Sequence, residues 1–482
     1  MGKLSFWVAV CLVCVLCAVG PIGSSAQTFK TLVIFGQGNG KRPSRGTLVQ
    51  GHDGNFYGTT EAENCFGHPC GTLFKVTAGG KLTTLHTFCL HGKCPDGSHP
   101  SGGVVQARDG NFYGTTEGGG ANLAGTVFKI TPAGKLTTLY SFCAQTNCTD
   151  GTYPYAGLAQ GTDGNFYGTT LGGGGNNSCS GGCGTVFKIT PAGTLTTLHI
   201  FTDSPDGALP YAGMVRGTDG NFYGTTLNGG GYGFGTVFKI SAEGNLTTLY
   251  SFGGHDGTYP YAGLIQAADG KFYGTTSSGG ENINCDCGTV YRITSAGKLT
   301  TMHSFDKTDG YLPEARLVQA TDGNFYGTTA YGGANNPGGT LFEITSEGKL
   351  TTLHSFNVAD GTFVNAGMAQ ATTGIFYGTT SQGGSSSKCF DGCGTFYSLS
   401  GGLGPFVETN PTSGKVGEAV IVLGNNLNGT TSVAFNGTAA SFTVVSNTEV
   451  KTTVPVGATT GFVKVTTPKR TLKSNVVFRV TK

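Results

Sequence analysis

The chain has 482 residues, of which 85 are glycine, while only 12% are charged and 37% are hydrophobic. Glycine destabilises helices, so this composition argues against long helices, and the absence of a three-residue glycine period excludes a collagen rod. The net charge of +2 argues against a nucleic-acid-binding surface, and the 31 phenylalanines and 19 tyrosines argue against disorder.

Residues 1–26 have the pattern of a secretory signal peptide. A basic start at Lys3 precedes an apolar run, and the run ends at the small residues Ser24, Ser25 and Ala26. The run is short for a membrane span, so we expect cleavage rather than a membrane anchor. The sequence therefore predicts a secreted or cell-surface protein whose mature chain has no membrane span.

Twelve cysteines follow the predicted signal peptide, and they form six close pairs along the chain. Paired cysteines in an exported protein predict local disulfide bonds. A zinc site is the alternative, but no Cys-x-x-Cys occurs among these twelve cysteines, and we expect no metal. In the fifth pair only one residue separates the two cysteines, so the disulfide bond predicted there is the weakest of the six. The pairs are Cys65/Cys70, Cys89/Cys94, Cys143/Cys148, Cys179/Cys183, Cys285/Cys287 and Cys389/Cys393.

The string FYGTT occurs seven times between residues 56 and 380, each time inside a longer repeated unit. In the unit at 156–201, two strand-like runs flank Asp163-Gly164 and two more flank Pro191-Ala192-Gly193. Asp-Gly tolerates the positive φ angles of a tight hairpin turn. Each unit is therefore predicted to be a four-stranded antiparallel meander.

Four short strands in each repeat of roughly 50 residues are typical of a β-propeller blade. The sequence holds seven copies of the third strand but only six of the fourth, and residues 29–35 resemble the missing one. We predict that this segment completes the last blade and closes a seven-bladed β-propeller over residues 27–400. A linear solenoid is the alternative.

The repeat motifs, which include DGNFYGTT, GTVFKIT and LTTLYSF, resemble the GloVer tandem repeat of exported bacterial proteins. The resemblance covers residues 29–400. It implies a secreted or surface-displayed propeller, and it implies no established reaction.

Residues 404–482 lack FYGTT and are rich in Val, Thr, Asn and Gly, and their length and strand density fit an immunoglobulin-like β-sandwich. Their pattern, which runs from Asn410-Pro411 through Val420-Ile421-Val422 to Gly461-Phe462-Val463, resembles an IPT/TIG domain. The resemblance implies an immunoglobulin-like domain, which we interpret as a spacer or adhesive module. The predicted fold class is all-β: a seven-bladed β-propeller followed by an immunoglobulin-like β-sandwich.

The sequence contains no recognisable catalytic constellation, and we predict no catalytic residue and no cofactor. Four histidines occupy one position of the fourth strand, where other copies carry Tyr140 and Tyr250, so we interpret them as packing residues. The repeated Asp-Gly pairs between units offer one carboxylate each, too few for calcium, and we interpret them as turns. These histidines are His86, His199, His303 and His354, and the aspartates are Asp96, Asp150, Asp206, Asp256, Asp309 and Asp360.

One position just before the first strand of each unit varies strongly between copies. The first strand of a propeller blade lines the axis, so these side chains are predicted to surround one mouth of the central channel. Tyrosine faces and polar groups in such a ring could contact a ligand, whereas ordinary drift on exposed loops is the alternative. The residues are Ser44, Ser101, Tyr155, Tyr211, Tyr261, Glu314 and Asn365.

The leading hypothesis is a secreted or cell-surface, non-enzymatic binding or adhesion protein that recognises a glycan or a protein through one propeller face. An extracellular polysaccharide or a surface protein is the expected partner, and nucleic acid is not. An extracellular glycoside hydrolase or lyase that uses Glu314 is the alternative, and a structural surface-layer component is a further one.

Overall fold

The computed structural model describes residues 27–36, 40–61, 70–90, 92–175, 178–282, 285–334, 338–384, 389 and 391–481. The predicted signal peptide at 1–26 and Cys65 lie outside these residues. Across the described ranges the only helical element is one short 3-10 turn, Thr146–Cys148, and every other regular element is a β-strand, which confirms the all-β class. A search of the same ranges for a helix long and apolar enough to cross a membrane finds none.

Each sequence repeat forms one four-stranded antiparallel sheet, and the described part of the chain contains seven such sheets before residue 401. The strands of the first three sheets follow β1 (Thr28–Ile34) and are β2 (Val49–Gln50), β3 (Phe56–Thr60), β4 (Thr72–Val76), β5 (Leu82–Thr87); β6 (Val104–Gln106), β7 (Phe112–Thr116), β8 (Thr126–Ile130), β9 (Leu136–Ser141); and β10 (Ala159–Gln160), β11 (Phe166–Thr170), β12 (Thr185–Ile189), β13 (Leu195–Ile200).

The next three sheets repeat this order, and the seventh sheet combines three late strands with β1. Their strands are β14 (Val215–Arg216), β15 (Phe222–Thr226), β16 (Thr236–Ile240), β17 (Leu246–Ser251); β18 (Ile265–Gln266), β19 (Phe272–Thr276), β20 (Thr289–Ile293), β21 (Leu299–Ser304); β22 (Val318–Gln319), β23 (Phe325–Thr329), β24 (Thr340–Ile344), β25 (Leu350–Ser355); and β26 (Ala369–Gln370), β27 (Phe376–Thr380), β28 (Thr395–Ser400).

The second strand of each sheet is buried along its whole length, because neighbouring sheets cover both of its faces. Its central glycine makes this packing possible. A Cβ added at Gly58 would lie 2.7 Å from the ring of Phe74 and 2.8 Å from Leu48. The glycine of FYGTT is therefore a packing requirement of the sheet and not a turn residue.

The aromatic residues of FYGTT join each sheet to the next one. The tyrosine of one copy packs against the phenylalanine of the following copy, with ring centroids 3.9 to 4.4 Å apart in seven such contacts among the described residues. The last of them, Tyr377 on Phe56, returns to the first sheet. Thr372 N also donates a hydrogen bond to Gln50 Oε1 across the same junction, at 2.9 Å. The contacts thus form a closed cycle, which a linear stack of repeats does not.

Both ends of the repeat region build the seventh sheet. β1 pairs antiparallel with β28, and Val33 lies opposite Phe396. The order of the strands in this sheet is β1, β28, β27 and β26. β1 therefore occupies the outer position that a fourth strand takes in the other sheets.

The C-terminal residues form a second unit with its own core. Two four-stranded sheets contribute valines and phenylalanines to one apolar cluster, which includes Val420, Val450, Phe435 and Val465. The strands are β29 (Glu408–Asn410), β30 (Ser413–Lys415), β31 (Ala419–Leu423), β32 (Ser432–Phe435), β33 (Thr438–Ala440), β34 (Phe442–Val444), β35 (Glu449–Thr453), β36 (Val463–Thr466), β37 (Thr471–Lys473) and β38 (Arg479–Thr481).

This C-terminal unit contacts the turns between the first and second strands of the first two sheets. Thr448 Oγ1 donates a hydrogen bond to the carbonyl oxygen of His52 at 2.6 Å. Arg108 Nη1 lies 3.3 Å from Glu418 Oε1. These turns lie at the opposite end of the first strands from the variable position of the sequence repeat, so the unit leaves that end uncovered.

Five of the six predicted disulfide bonds are present, and the Cys65/Cys70 prediction involves a cysteine outside the described residues. Two bonds lie in the loops between the fourth and first strands, Cys89–Cys94 and Cys143–Cys148. Three lie in the loops between the second and third strands, Cys179–Cys183, Cys285–Cys287 and Cys389–Cys393. Several disulfide bonds are typical of an extracellular protein.

Candidate functional site

The starts of the first strands surround a cavity of about 320 Å³, here called the central cavity. Residues from the first six sheets line it. Its size is at the lower end of the range for small-molecule sites. Five of the seven residues predicted from the variable position lie on its wall: Ser101, Tyr155, Tyr211, Tyr261 and Glu314.

The structure places Arg45, and not Ser44, at this position in the first sheet. Gln50 of β2 and Gln106 of β6 have equivalent sheet partners, and Ser101 precedes Gln106 by five residues. Five residues before Gln50 is Arg45, which lines the central cavity. Ser44 is buried instead against the second strand, where its hydroxyl lies 2.6 Å from Thr59 Oγ1. Between the preceding proline and the glutamine of the first strand, the first unit has one residue more than the second unit. An alignment that counts forward from that proline therefore selects Ser44 instead of Arg45.

Asn365, the seventh predicted residue, is buried and does not line the cavity. Its side chain is 4% exposed, and its Oδ1 has no hydrogen-bond partner among the described residues. The residues at the variable position therefore line the cavity as an arc, with residues from the first six sheets, and not as the predicted ring of seven.

Three tyrosines form the aromatic part of this arc. The rings of Tyr155 and Tyr211 have centroids 4.1 Å apart, and those of Tyr211 and Tyr261 are 4.9 Å apart at an interplanar angle of 78°. The guanidinium of Arg45 lies over two of these rings, 5.8 Å from Tyr211 and 5.7 Å from Tyr261. Its Nη1 is 3.0 Å from Glu314 Oε2. We call Arg45, Tyr155, Tyr211, Tyr261 and Glu314 the mouth cluster.

Burial sets the protonation of the mouth cluster. It raises the pKa of Tyr155 to about 12, where the Glu61 carboxylate acts in the same direction and Arg45 opposes it. It also raises the pKa of Glu314 by more than the nearby Arg45 lowers it. The tyrosines therefore keep their phenolic protons at neutral pH and can both donate and accept hydrogen bonds.

Two further carboxyl groups lie near the cluster, and the sequence analysis missed them. Glu61 and Glu117 follow FYGTT in the first two repeats, where the third and fourth copies carry Leu171 and Leu227. Burial raises the pKa of both carboxyls, and both affect the pKa of Tyr155. An acidic residue that follows a buried strand only in adjacent copies was the signal that could have identified them.

Arg316 is the other missed residue. It lines the central cavity two residues after Glu314, at a position where five of the other repeats have glycine. Protein surrounds it, and burial lowers the pKa of its guanidinium, yet its side chain remains accessible to water within the cavity. When the repeats are aligned, Arg316 occupies a position, here called the glycine column, that is glycine in five other repeats, and this difference was the signal for it. The column contains Gly103, Gly157, Gly213, Gly263 and Gly367, with Thr47 in the first repeat.

The repeated histidines and aspartates lie away from the cavity and bond to one another. In four repeats the histidine Nε2 is 2.7 to 3.0 Å from an aspartate of the next loop, as for His303 and Asp309. Tyr140 makes the same contact with Asp150. The one group of metal-ligating side chains found among the described residues is Cys70, Cys89 and Cys94, and all three are disulfide-bonded, so they offer no thiolate.

Two solved structures illustrate the likeness of fold. A fungal alcohol oxidase of the AA5 family, in complex with copper, matches with 13% identity and a TM-score of 0.51, over 93% of this chain and 100% of that chain. A PQQ-bound aldose sugar dehydrogenase from Streptomyces coelicolor matches with 12% identity and a TM-score of 0.40, over 78% of this chain and 98% of that chain. The first likeness shows a shared fold alone, and the second is too weak for any conclusion. No curated protein matches the sequence.

The repeat region also matches a known sequence family, the Gloeobacter/Verrucomicrobia repeat, over residues 19–181 and 176–397. The two matches together cover more than half of the chain and all seven copies of FYGTT. The match agrees with the tandem-repeat resemblance found in the sequence, and it says nothing of the C-terminal unit. The chain therefore belongs to the Gloeobacter/Verrucomicrobia repeat family.

Proposed function

We propose that this protein is a secreted or cell-surface, non-enzymatic binding protein that holds a saccharide at the mouth cluster. In this proposal the seven sheets are the blades of one β-propeller, and the C-terminal unit is an immunoglobulin-like spacer of the IPT/TIG type. The observation that carries the proposal is the row of three contacting tyrosines beside the Arg45–Glu314 ion pair.

The chemistry of the mouth cluster suits a sugar ring. Aromatic faces stack on apolar surfaces, and a sugar ring presents C–H groups on its faces and hydroxyls at its edge. Arg45 donates and Glu314 accepts hydrogen bonds at the same opening, so both kinds of hydroxyl contact are available. A cavity of about 320 Å³ can take one or two sugar rings rather than a folded domain.

The loops around the opening support a preformed site. The two classes of loop that carry disulfide bonds connect strands at the same edge of the sheets as the mouth cluster. Such bonds restrict loop motion, and a rigid site loses less entropy on binding. The C-terminal unit contacts the other edge, so the opening is free for a polymer chain.

A glycan array tests the proposal with the mature protein and a Tyr155→Ala, Tyr211→Ala, Tyr261→Ala variant. We expect the variant to lose about tenfold or more in affinity for the saccharides that the unsubstituted protein binds. Tyr232→Ala is the matched control, because Tyr232 is 69% exposed in a neighbouring loop and does not line the cavity. Equal binding by all three proteins, or the absence of any bound saccharide, would contradict the proposal.

A glycoside hydrolase or lyase is the second candidate, and the three carboxyls Glu61, Glu117 and Glu314 favour it. A carboxyl whose pKa is raised can act as a general acid, and burial raises the pKa of all three. The saccharide recovered from the binding experiment separates the two candidates. An intact saccharide supports binding, whereas cleavage that Glu61→Gln abolishes would establish the enzyme.

A further inference from the structure

Arg316 is a cation on the wall of the central cavity. Among the described residues, no hydrogen bond or ion pair involves its side chain. Glu314 is the cavity-lining carboxylate, and it is already paired with Arg45 at 3.0 Å. The charged residues that line the cavity are thus Arg45, Arg316 and Glu314, two cations and one anion, which leaves one positive charge.

The surrounding backbone explains why Arg316 projects into open space. At the same level, neighbouring first strands approach each other so closely that most positions admit no side chain. A Cβ at Gly157 would lie 2.5 Å from the carbonyl oxygen of Gly102, and one at Gly213 would lie 2.9 Å from that of Gly157. Arg316 and Thr47 are the side chains that this level carries in the described sheets, and both line the cavity.

The surrounding protein removes part of the hydration of Arg316, although water in the cavity still reaches its side chain, so an anion placed there forms charge-assisted hydrogen bonds with it. Apart from Arg45, Arg316 and Glu314 the lining residues are uncharged, and Glu314 is paired with Arg45, so the described wall supplies no further anion for Arg316. An arginine with open space before it can bind a planar carboxylate through two parallel hydrogen bonds. The tyrosines lie at the opening of the same cavity, so a ring stacked on them could direct a substituent inward.

We propose that the central cavity binds an acidic saccharide, whose carboxylate pairs with Arg316 while its ring contacts the tyrosines of the mouth cluster. This inference rests on the proposed function and names the class of saccharide. Thr47 is positioned at the level of Arg316 and offers a hydroxyl as a further donor. The carboxylate neutralises the cavity's excess positive charge.

Calorimetry with the full chain tests this with two matched disaccharides, one ending in glucuronic acid and one ending in glucose. We expect the unsubstituted protein to bind the acidic sugar about tenfold or more tightly than the neutral one. Arg316→Gln should remove this preference, so that the variant binds the two sugars with similar affinity. The control Arg470→Gln, at an exposed site in the C-terminal unit, should change neither.

Thermal unfolding gives a second readout, the Tm with and without ligand. Arg316→Gln should fold and keep the Tm of the free protein, because it removes a charge that has no ion-pair partner among the described residues. Glucuronic acid should raise the Tm of the unsubstituted protein and not that of the variant. A Tm that falls in the variant together with an unchanged sugar preference would show that Arg316 is only structural, and would overturn the inference.

The outcomes separate this inference from the proposed function. Binding of both sugars with equal affinity would overturn the acidic class and leave the saccharide site standing. Tighter binding of a glucose 6-sulfate probe than of the carboxylate would overturn the choice of anion. Binding of an Asp- and Glu-rich peptide in place of either sugar would overturn both proposals, as would no binding at all.

Discussion

At the scale of single residues, one aspartate organises the first hairpin turn of six repeats. The Asp109 carboxylate accepts hydrogen bonds from Asn111 N at 3.0 Å and from Tyr113 Oη at 2.8 Å, and Lys129 Nζ lies 3.0 Å away. Burial acts to raise the pKa of Asp109, but these hydrogen bonds outweigh it and lower the pKa. The equivalent residues are Asp53, Asp163, Asp219, Asp269 and Asp322.

We predict that Asp109→Asn lowers the free energy of unfolding by about 1 kcal/mol at pH 7, a modest value because the carboxylate is partly exposed and screened. An aspartate with a lowered folded-state pKa stabilises the fold above its unfolded value of 3.8, and this contribution is lost as the pH falls through the folded value. Urea unfolding at pH 7 and pH 3 should show the difference between variant and parent shrinking at the lower pH.

Glu281→Gln is the matched control for Asp109→Asn, because Glu281 is an exposed loop carboxylate. It should leave the stability unchanged at both pH values. A difference between Asp109→Asn and the parent that is equal at pH 7 and pH 3 would show that the charge of Asp109 contributes nothing.

At the scale of elements, the fourth strand of the first six sheets holds the following loop through a hydrogen bond between a ring and a carboxylate. In β21, His303 Nε2 is 2.7 Å from Asp309 Oδ2. In β17, the Tyr250 hydroxyl donates to Asp256. In both pairs the two partners are six positions apart in the sequence, so a histidine and a tyrosine make the same connection. The sequence pattern predicts packing for the rings and turns for the aspartates, and the structure adds the hydrogen bond between them.

We predict that His303→Tyr keeps the stability of the parent, whereas His303→Phe lowers the free energy of unfolding by about 1 to 2 kcal/mol. Phenylalanine fills the same space but leaves the Asp309 carboxylate without its ring donor. Chemical denaturation of the three proteins measures the difference, and Tyr250→Phe should repeat it in the neighbouring sheet. If His303→Phe were as stable as His303→Tyr, the ring would act through packing alone.

At the scale of the whole molecule, the two ends of the repeat region depend on each other. β1 supplies the outer strand of the seventh sheet, and the ring of Phe29 stacks on His354 of the sixth sheet at 3.9 Å. Without β1, the backbone edge of β28 would be open, and its buried Phe396 and Tyr397 would lose cover. An open strand edge is a site of aggregation.

We predict that a variant that begins at Gly36 has a Tm about 10 °C or more below that of a variant that begins at Gln27. The first variant lacks β1, and the second retains it and serves as the control. Differential scanning calorimetry measures the Tm, and light scattering should detect aggregation of the shorter protein. Equal Tm values would mean that closure through β1 contributes little to stability.

The sequence alone determined the repeated architecture, because its signals are local. Asp-Gly turns, apolar runs on either side of them and a repeated aromatic motif lie within one unit, and six of the seven sheets form from the residues of a single unit. The same regularity made it possible to identify Tyr155, Tyr211, Tyr261 and Glu314 from the sequence, because a position that varies within a regular repeat can be found by comparison of the copies.

Tertiary structure alone decided which side chains meet. Arg45 pairs with Glu314 across the opening although the two residues belong to the first and sixth sheets, and the one-residue shift that places Arg45 there shows only in the strand pairing. The role of Arg316 can be inferred only from the structure, where the glycine-containing strands approach each other closely and the Arg316 side chain lines the open cavity. Local sequence sets backbone conformation within a repeat, whereas contacts between repeats depend on the closed cycle of sheets.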